Sequence, residues 1–168
     1  MIGYINLAHE KKSDIYHVHA TGSYGFRWMP KRLEDLNIIA DGSENLNVCE
    51  YIYNMPQMMA AADLVICRAG STTIFELAAM GKPAILIPSP NVAENHQYFN
   101  AMALQEKGAA VVIEEKDLTP KRLQYEVEAL IYDKEKLKKM AENMNLCAIY
   151  DANEKIYAEI LSLLKAHQ

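Results

Sequence analysis

Hydrophobic and polar positions along the chain switch repeatedly between a helical and a strand period. Residues 1–12 read as helix, although Met1-Ile2-Gly3-Tyr4-Ile5-Asn6-Leu7-Ala8 offers no N-cap and looks like the middle of one. Asp14-Ile15-Tyr16-His17-Val18-His19 is rich in β-branched and aromatic residues and reads as a strand. Thr21-Gly22-Ser23 is a turn, residues 24–37 a second helix, and Leu46-Asn47-Val48-Cys49-Glu50-Tyr51 a second strand. A short helix holding Met55, Met58 and Met59 follows Asn54, its methionines serving as flexible core filler. Asp63-Leu64-Val65-Ile66-Cys67 is an almost continuous apolar run, the pattern of a parallel strand covered on both faces. Residues 71–80 form a helix that Gly81 and Pro83 close. Residues 83–88 are another buried strand, and a helix follows from His96 until Gly108 ends it. Residues 109–113 are the last strand; helices cover roughly 119–131, 134–146 and 150–166. This alternation predicts an α/β fold with a doubly wound, mostly parallel sheet and right-handed crossovers. No repeat or linker divides residues 1–168, so a single domain is expected.

Composition narrows the function classes. A chain of 168 residues suits one domain, and its apolar and charged fractions exclude disorder and low-complexity character. Seventeen Lys and Arg against 22 Asp and Glu give a net charge of −5, which argues against a nucleic-acid binder. No apolar run approaches the roughly 20 residues of a membrane span, and no secretory signal opens the chain. Cys49, Cys67 and Cys147 are far apart, which fits reduced thiols better than a disulfide or zinc framework.

In an open parallel sheet, ligands bind beyond the carboxyl ends of the strands, where helix N-termini point at them. The corner that fits is Cys67-Arg68-Ala69-Gly70-Ser71-Thr72-Thr73-Ile74-Phe75-Glu76. A strand ends at Cys67, Ala69-Gly70 lets the backbone turn closely, and Ser71, Thr72 and Thr73 open a helix with free N–H groups and hydroxyls. That is an anion site, best suited to phosphate; Ser71 or Thr72 would equally serve as a plain helix cap. Glu76 shifts the balance. Ile74, Leu77 and Ala78 share the core side, which leaves Glu76 beside Thr72 and Thr73, one turn behind the corner. A carboxylate there can accept two hydrogen bonds from a ribose diol, whereas its interaction with the helix dipole contributes only about 0.3–1 kcal/mol. Together these residues point to a nucleoside diphosphate.

The next strand end supplies Pro88-Ser89-Pro90-Asn91-Val92-Ala93-Glu94-Asn95-His96-Gln97. Amide and imidazole groups suit neutral hydroxyls such as those of a sugar; on spacing alone, Asn95 as a cap with His96 and Gln97 as solvated first-turn residues explains them as well. His17 and His19 share a strand face but have no accompanying carboxylate or cysteine pair, so no metal site is assigned. Lys134, Lys136, Lys138 and Lys139 alternate with Asp133 and Glu135 as a solvated face, with anionic lipid a lesser alternative. No Gly-x-Ser-x-Gly elbow supports a serine hydrolase.

Arg68 to Leu77, Gly81-Lys82-Pro83-Ala84-Ile85-Leu86-Ile87-Pro88, Asn95-His96-Gln97-Tyr98-Phe99-Asn100-Ala101 and Gly108-Ala109-Ala110 together resemble the donor domain of the MurG family. Its members transfer N-acetylglucosamine (GlcNAc) from UDP-GlcNAc to a lipid-linked muramoyl-pentapeptide in peptidoglycan synthesis. His19-Ala20-Thr21-Gly22 and Tyr51-Ile52-Tyr53-Asn54-Met55 extend the resemblance upstream, over nearly the whole chain. It implies the C-terminal, Rossmann-like half of a two-domain GT-B transferase, with a UDP-GlcNAc pocket and no cofactor. In it Ile52 would meet uracil; Ser71, Thr72 and Thr73 the pyrophosphate and adjoining donor groups; Glu76 the ribose; His96 and Gln97 the sugar hydroxyls and the phosphate side. Arg68 would neutralise phosphate or brace the strand end. The family inverts the anomeric centre and lets the helix dipole replace a metal at the leaving UDP, and this chain has no Asp-x-Asp for a divalent ion.

The same resemblance implies a cytoplasmic, membrane-peripheral parent protein acting on lipid I. Its N-terminal acceptor domain, which would hold the catalytic base, and the donor domain's opening strand with its Gly-Gly-Ser-x-Gly loop have no counterpart here. The expectation is a donor-binding domain that is inactive alone. Alternatives are a non-catalytic nucleotide-sugar-binding module and the soluble subunit of a split GlcNAc transferase. Without the central strand, either the remaining strands close the gap or another chain fills it. Ile149, Ala152, Ile156, Ile160 and Leu163 form a stripe on the last helix that would be exposed near Leu163 and Leu164 or buried by another copy. Self-association through the sheet or this helix would follow.

Overall fold

The computed structural model describes residues 1–11, 13–39 and 45–166. Their order is α1 (Ile2–Glu10), β1 (His17–Ala20), α2 (Gly22–Phe26), α3 (Met29–Glu34), β2 (Leu46–Cys49), α4 (Met55–Ala61) and β3 (Val65–Cys67). Then follow α5 (Ser71–Met80), β4 (Ala84–Leu86), α6 (His96–Glu106), β5 (Ala110–Val112), α7 (Pro120–Ile131), α8 (Lys134–Asn145) and α9 (Ala152–Ala166). Single 3-10 turns occupy Ala93–Asn95 and Glu115–Asp117. Every strand pairing is parallel, but the strands form two sheets: β1 with β2, and β3, β4 and β5 in that order. A doubly wound sheet of order 3-2-1-4-5-6 that lacks its first strand divides in this way. Among the described residues the strands therefore do not close the expected gap by hydrogen bonding, and β1 and β3 are each paired on one edge only.

Side chains bridge what backbone bonds do not. Leu46 and Val48 of β2 share one buried cluster with Ile85 of β4, Tyr4 and Ile5 of α1, Leu33 of α3, and Leu123, Val127 and Leu130 of α7. Leu77 and Ala78 of α5, Ala84 and Leu86 of β4, Leu104 of α6 and Met144 of α8 form a second cluster. Successive strand residues face opposite ways, so β4 feeds both: Ile85 enters the first cluster, Ala84 and Leu86 the second, and all three are fully buried. The residues of β3 and most of β1, beside the gap, are only half-buried.

Three expectations need revision. Residues 24–37 are not one helix: α2 ends at Phe26, and α3 starts afresh with Pro30 in its first turn, because proline lacks the N–H to continue a preceding helix. Gly22 and Ser23 belong to α2 rather than to a turn. Of the three methionines on α4, Met59 alone is buried, while Met55 is exposed. The terminal stripe, by contrast, is exposed along its length, Ile149, Ile156, Ile160, Leu163 and Leu164 included.

Candidate functional site

β3 delivers the chain through Arg68, Ala69 and Gly70 to the first turn of α5. Gly70 is the N-cap, its backbone extended at φ −69° and ψ 145°, and no side chain caps the helix. Ser71, Thr72 and Thr73 are thus the first three helical residues, and the first internal bond runs from Ile74 N–H to the Gly70 carbonyl. Their N–H groups have no acceptor within the helix. The simple capping role for Ser71 or Thr72 is therefore not the one adopted. Ser71 and Thr72 are exposed and Thr73 half-buried. Leu77 and Ala78 bury the opposite side and fix the rotation of α5, so Glu76 is exposed, with no hydrogen-bonding or ionic partner among the described residues. At the far end Gly81 adopts φ +59°, and a Cβ there would come within 2.8 Å of Asn145 Nδ2, so glycine is required to stop α5.

Arg68 braces the end of β3. Its Nη1 donates to Glu115 Oε2 at 2.7 Å and to the carbonyls of Ile87 at 3.3 Å and Pro88 at 3.5 Å. These bonds tie the end of β3 to the end of β4 and to the 3-10 turn at Glu115–Asp117. Cys67, just before it, has its thiol pushed up to about 12 by burial and stays neutral, so it adds no negative charge to the corner.

α6 lies along the second side. Its approach is strained: Glu94 and Asn95 both adopt positive φ, 51° and 52°. Asn tolerates this conformation, whereas Glu gives up about 1–2 kcal/mol. The exposed His96 holds the Ala93 carbonyl through Nδ1 at 2.9 Å, which makes Nδ1 the donor and leaves Nε2 as acceptor in the neutral ring. Gln97 is half-buried; its Oε1 accepts the Ser89 N–H at 2.9 Å. One turn on, Asn100 Nδ2 donates to the carbonyl of the fully buried Ala69 at 3.4 Å, drawing α6 against the corner. Asn100, Ser89 and Glu115 received no role from the sequence. For Asn100 a signal existed: it lies three residues after Gln97 and so shares its helix face. Ile52 is half-buried after β2, in the other sheet, between exposed Tyr51 and Tyr53.

The parallel α/β architecture, with the uncapped N-terminus of α5 at the carboxyl end of β3, is that of the C-terminal half of a GT-B glycosyltransferase. The chain belongs to the glycosyltransferase family 28 C-terminal domain family, whose model matches residues 5–156. It is 44% identical over 161 residues to the UDP-N-acetylglucosamine–N-acetylmuramyl-(pentapeptide) pyrophosphoryl-undecaprenol N-acetylglucosamine transferase of Acetivibrio thermocellus, covering 95% of this chain and 42% of that protein. The enzyme of the same name from Desulfitobacterium hafniense is 46% identical over 147 residues, which are 86% of this chain and 39% of the relative. The chain thus spans about two fifths of the length of these relatives. Among solved structures, Acinetobacter baumannii MurG superposes with a TM-score of 0.75 at 25% identity, over 96% of this chain and 44% of MurG. The glycosyltransferase VinC, at 19% identity and TM-score 0.65 over 85% of this chain and 32% of VinC, shares the fold.

Proposed function

We propose that residues 1–168 are the UDP-GlcNAc-binding domain of an inverting, metal-independent transferase that converts lipid I to lipid II in peptidoglycan synthesis. The observation that carries this is the uncapped N-terminus of α5, with Ser71, Thr72 and Thr73 in its first turn and the unpaired Glu76 behind them. Three N–H groups and the helix dipole suit the pyrophosphate, and as the glycosidic bond breaks they stabilise the charge growing on the β-phosphate. Glu76 has both oxygens free for the ribose diol, Ile52 takes the uracil, and His96 and Gln97 take the sugar and phosphate side. No residue of this chain is assigned as the general base, which fits a role confined to the donor. Lipid I as acceptor rests on the activity that the relatives' names give, and a peripheral site of action on the cytoplasmic membrane face rests on the family resemblance; no helix among the described residues is long and apolar enough to cross a membrane. Self-association would use the open edges of β1 and β3 or the exposed stripe of α9.

Titration calorimetry with UDP-GlcNAc tests this reading. Binding at or below millimolar ligand is expected, and Glu76→Ala should weaken it at least tenfold, the loss of two hydrogen bonds to one charged group. No heat at millimolar ligand would sink the donor site, and an unchanged affinity in the variant would remove Glu76 from it.

A further inference from the structure

We infer that the α2–α3 segment docks on an anionic phospholipid bilayer, with Tyr24, Phe26 and Trp28 entering the headgroup layer and Arg27 and Lys31 meeting its phosphates. This deepens the membrane-peripheral part of the proposed function and rests on it for the choice of a bilayer. The segment is built inside out. Gly25 is the buried residue of α2, and a Cβ there would come within 2.9 Å of Thr21 Cβ. Tyr24, Phe26 and Trp28 around it are instead 80%, 40% and 45% exposed. In α3, Met29 and Leu33 lie one turn apart and anchor the helix in the buried cluster shared with Leu46 and Val48. The aromatic side chains are thus presented to the outside by an anchored backbone. Single exposed apolar residues need no explanation, whereas several together mark an interaction site.

Charge selects the partner. No Asp or Glu occurs between Asp14 and Glu34, whereas Arg27, Lys31 and Arg32 do, in a chain whose net charge is −5. All three cations are exposed. Arg32 lies 3.8 Å from Asp35 in a loose surface pair, while Arg27 and Lys31 have no ionic partner among the described residues. Elsewhere this separation of charge is missing. On α8, Lys134, Lys136, Lys138 and Lys139 are interleaved with Asp133 and Glu135, and on α9 Glu154 and Glu159 balance Lys155 and Lys165. Tyr and Trp rings settle at the headgroup level of a bilayer, where one end is apolar and the other wet. Each Lys or Arg beside them strengthens binding to an anionic leaflet about fivefold. An acidic protein would answer the same charges, but the lipid-linked acceptor proposed above is met only at a bilayer.

Trp28 is the sole tryptophan of the chain, so its fluorescence reports on this segment alone. Vesicles of mixed phosphatidylglycerol and phosphatidylcholine should bind residues 1–168, shift Trp28 emission to the blue and permit its quenching by brominated acyl chains. Vesicles of phosphatidylcholine alone should bind at least tenfold more weakly. The double variant Arg27→Gln, Lys31→Gln keeps the reporter and should lose about 25-fold in affinity for the anionic vesicles. Vesicle binding that leaves Trp28 emission unmoved would overturn the proposal and transfer docking to another face. An unchanged affinity in the double variant would overturn it as well. So would a blue shift with polyglutamate and none with vesicles, which would assign an acidic protein partner instead. No binding to either vesicle would overturn it too, and would leave a peripheral parent protein dependent on surfaces outside residues 1–168. The vesicle assay contains no UDP-GlcNAc, so its outcome stands apart from that of the donor-site titration.

Discussion

His17 lies on β1 with its ring edge-on to Tyr4 of α1, the centroids 5.2 Å apart at 86°. Burial holds its pKa below the usual histidine value; His19 is lowered as well, by burial first and then by the amino terminus and His17. Both rings are therefore neutral in the fold at pH values where the unfolded chain binds protons. Stability should be full above the unfolded value of about 6.5 and decline as pH falls through the lowered folded values. Urea titrations at stepped pH should show this slope, shallower in His17→Phe; an identical slope would exclude His17 as a source. At this scale the site was only partly legible. Glu76 could be placed because the core face of its own helix fixes where it points. The partner of Arg68 could not, because Glu115 lies 47 positions away and only the tertiary fold joins them. The polarity of Gln97 was hidden for a related reason: a side chain's orientation depends on a main-chain donor in another loop.

Helices were read well wherever a sequence signal marks both ends. α5 stops at Gly81, and α7 begins where Thr119 Oγ1 accepts the Arg122 N–H at 3.1 Å, with Pro120 in the first turn. α7 also carries Leu123, Val127 and Leu130 into the core shared by the two sheets, so its cap matters beyond the helix. Thr119→Ala should cost about 1 kcal/mol in chemical denaturation without altering ligand affinity; no measurable change would mean that packing alone holds the start of α7. Where periodicity continued through a breaker, as across Pro30, the sequence suggested one helix and the structure has two. α9 shows the opposite case. Its apolar stripe is regular, yet Ile156, Ile160 and Leu163 remain exposed, because periodicity states that a face exists and not what covers it.

Strand alternation made the parallel class legible for the whole molecule, but the division into two sheets was not legible and appears only in how the strands pair. In β1, His17 directs its N–H to Asn45 of the β2 chain, and in β3, Val65 directs its own to Pro83 before β4. Amides alternate between the two edges of a parallel strand. Val18, Ala20 and Ile66 consequently face the unpaired side, and their amide hydrogens should exchange far faster than that of Ile85 on β4; equal protection would mean that the gap is closed in solution. In most α/β domains the middle of the sheet is the most protected ground, and opening begins at the rim. Here the seam between β1 and β3 is the cheapest place to part, so local opening should run from the centre outward, with β4 and its two covered faces the last to go.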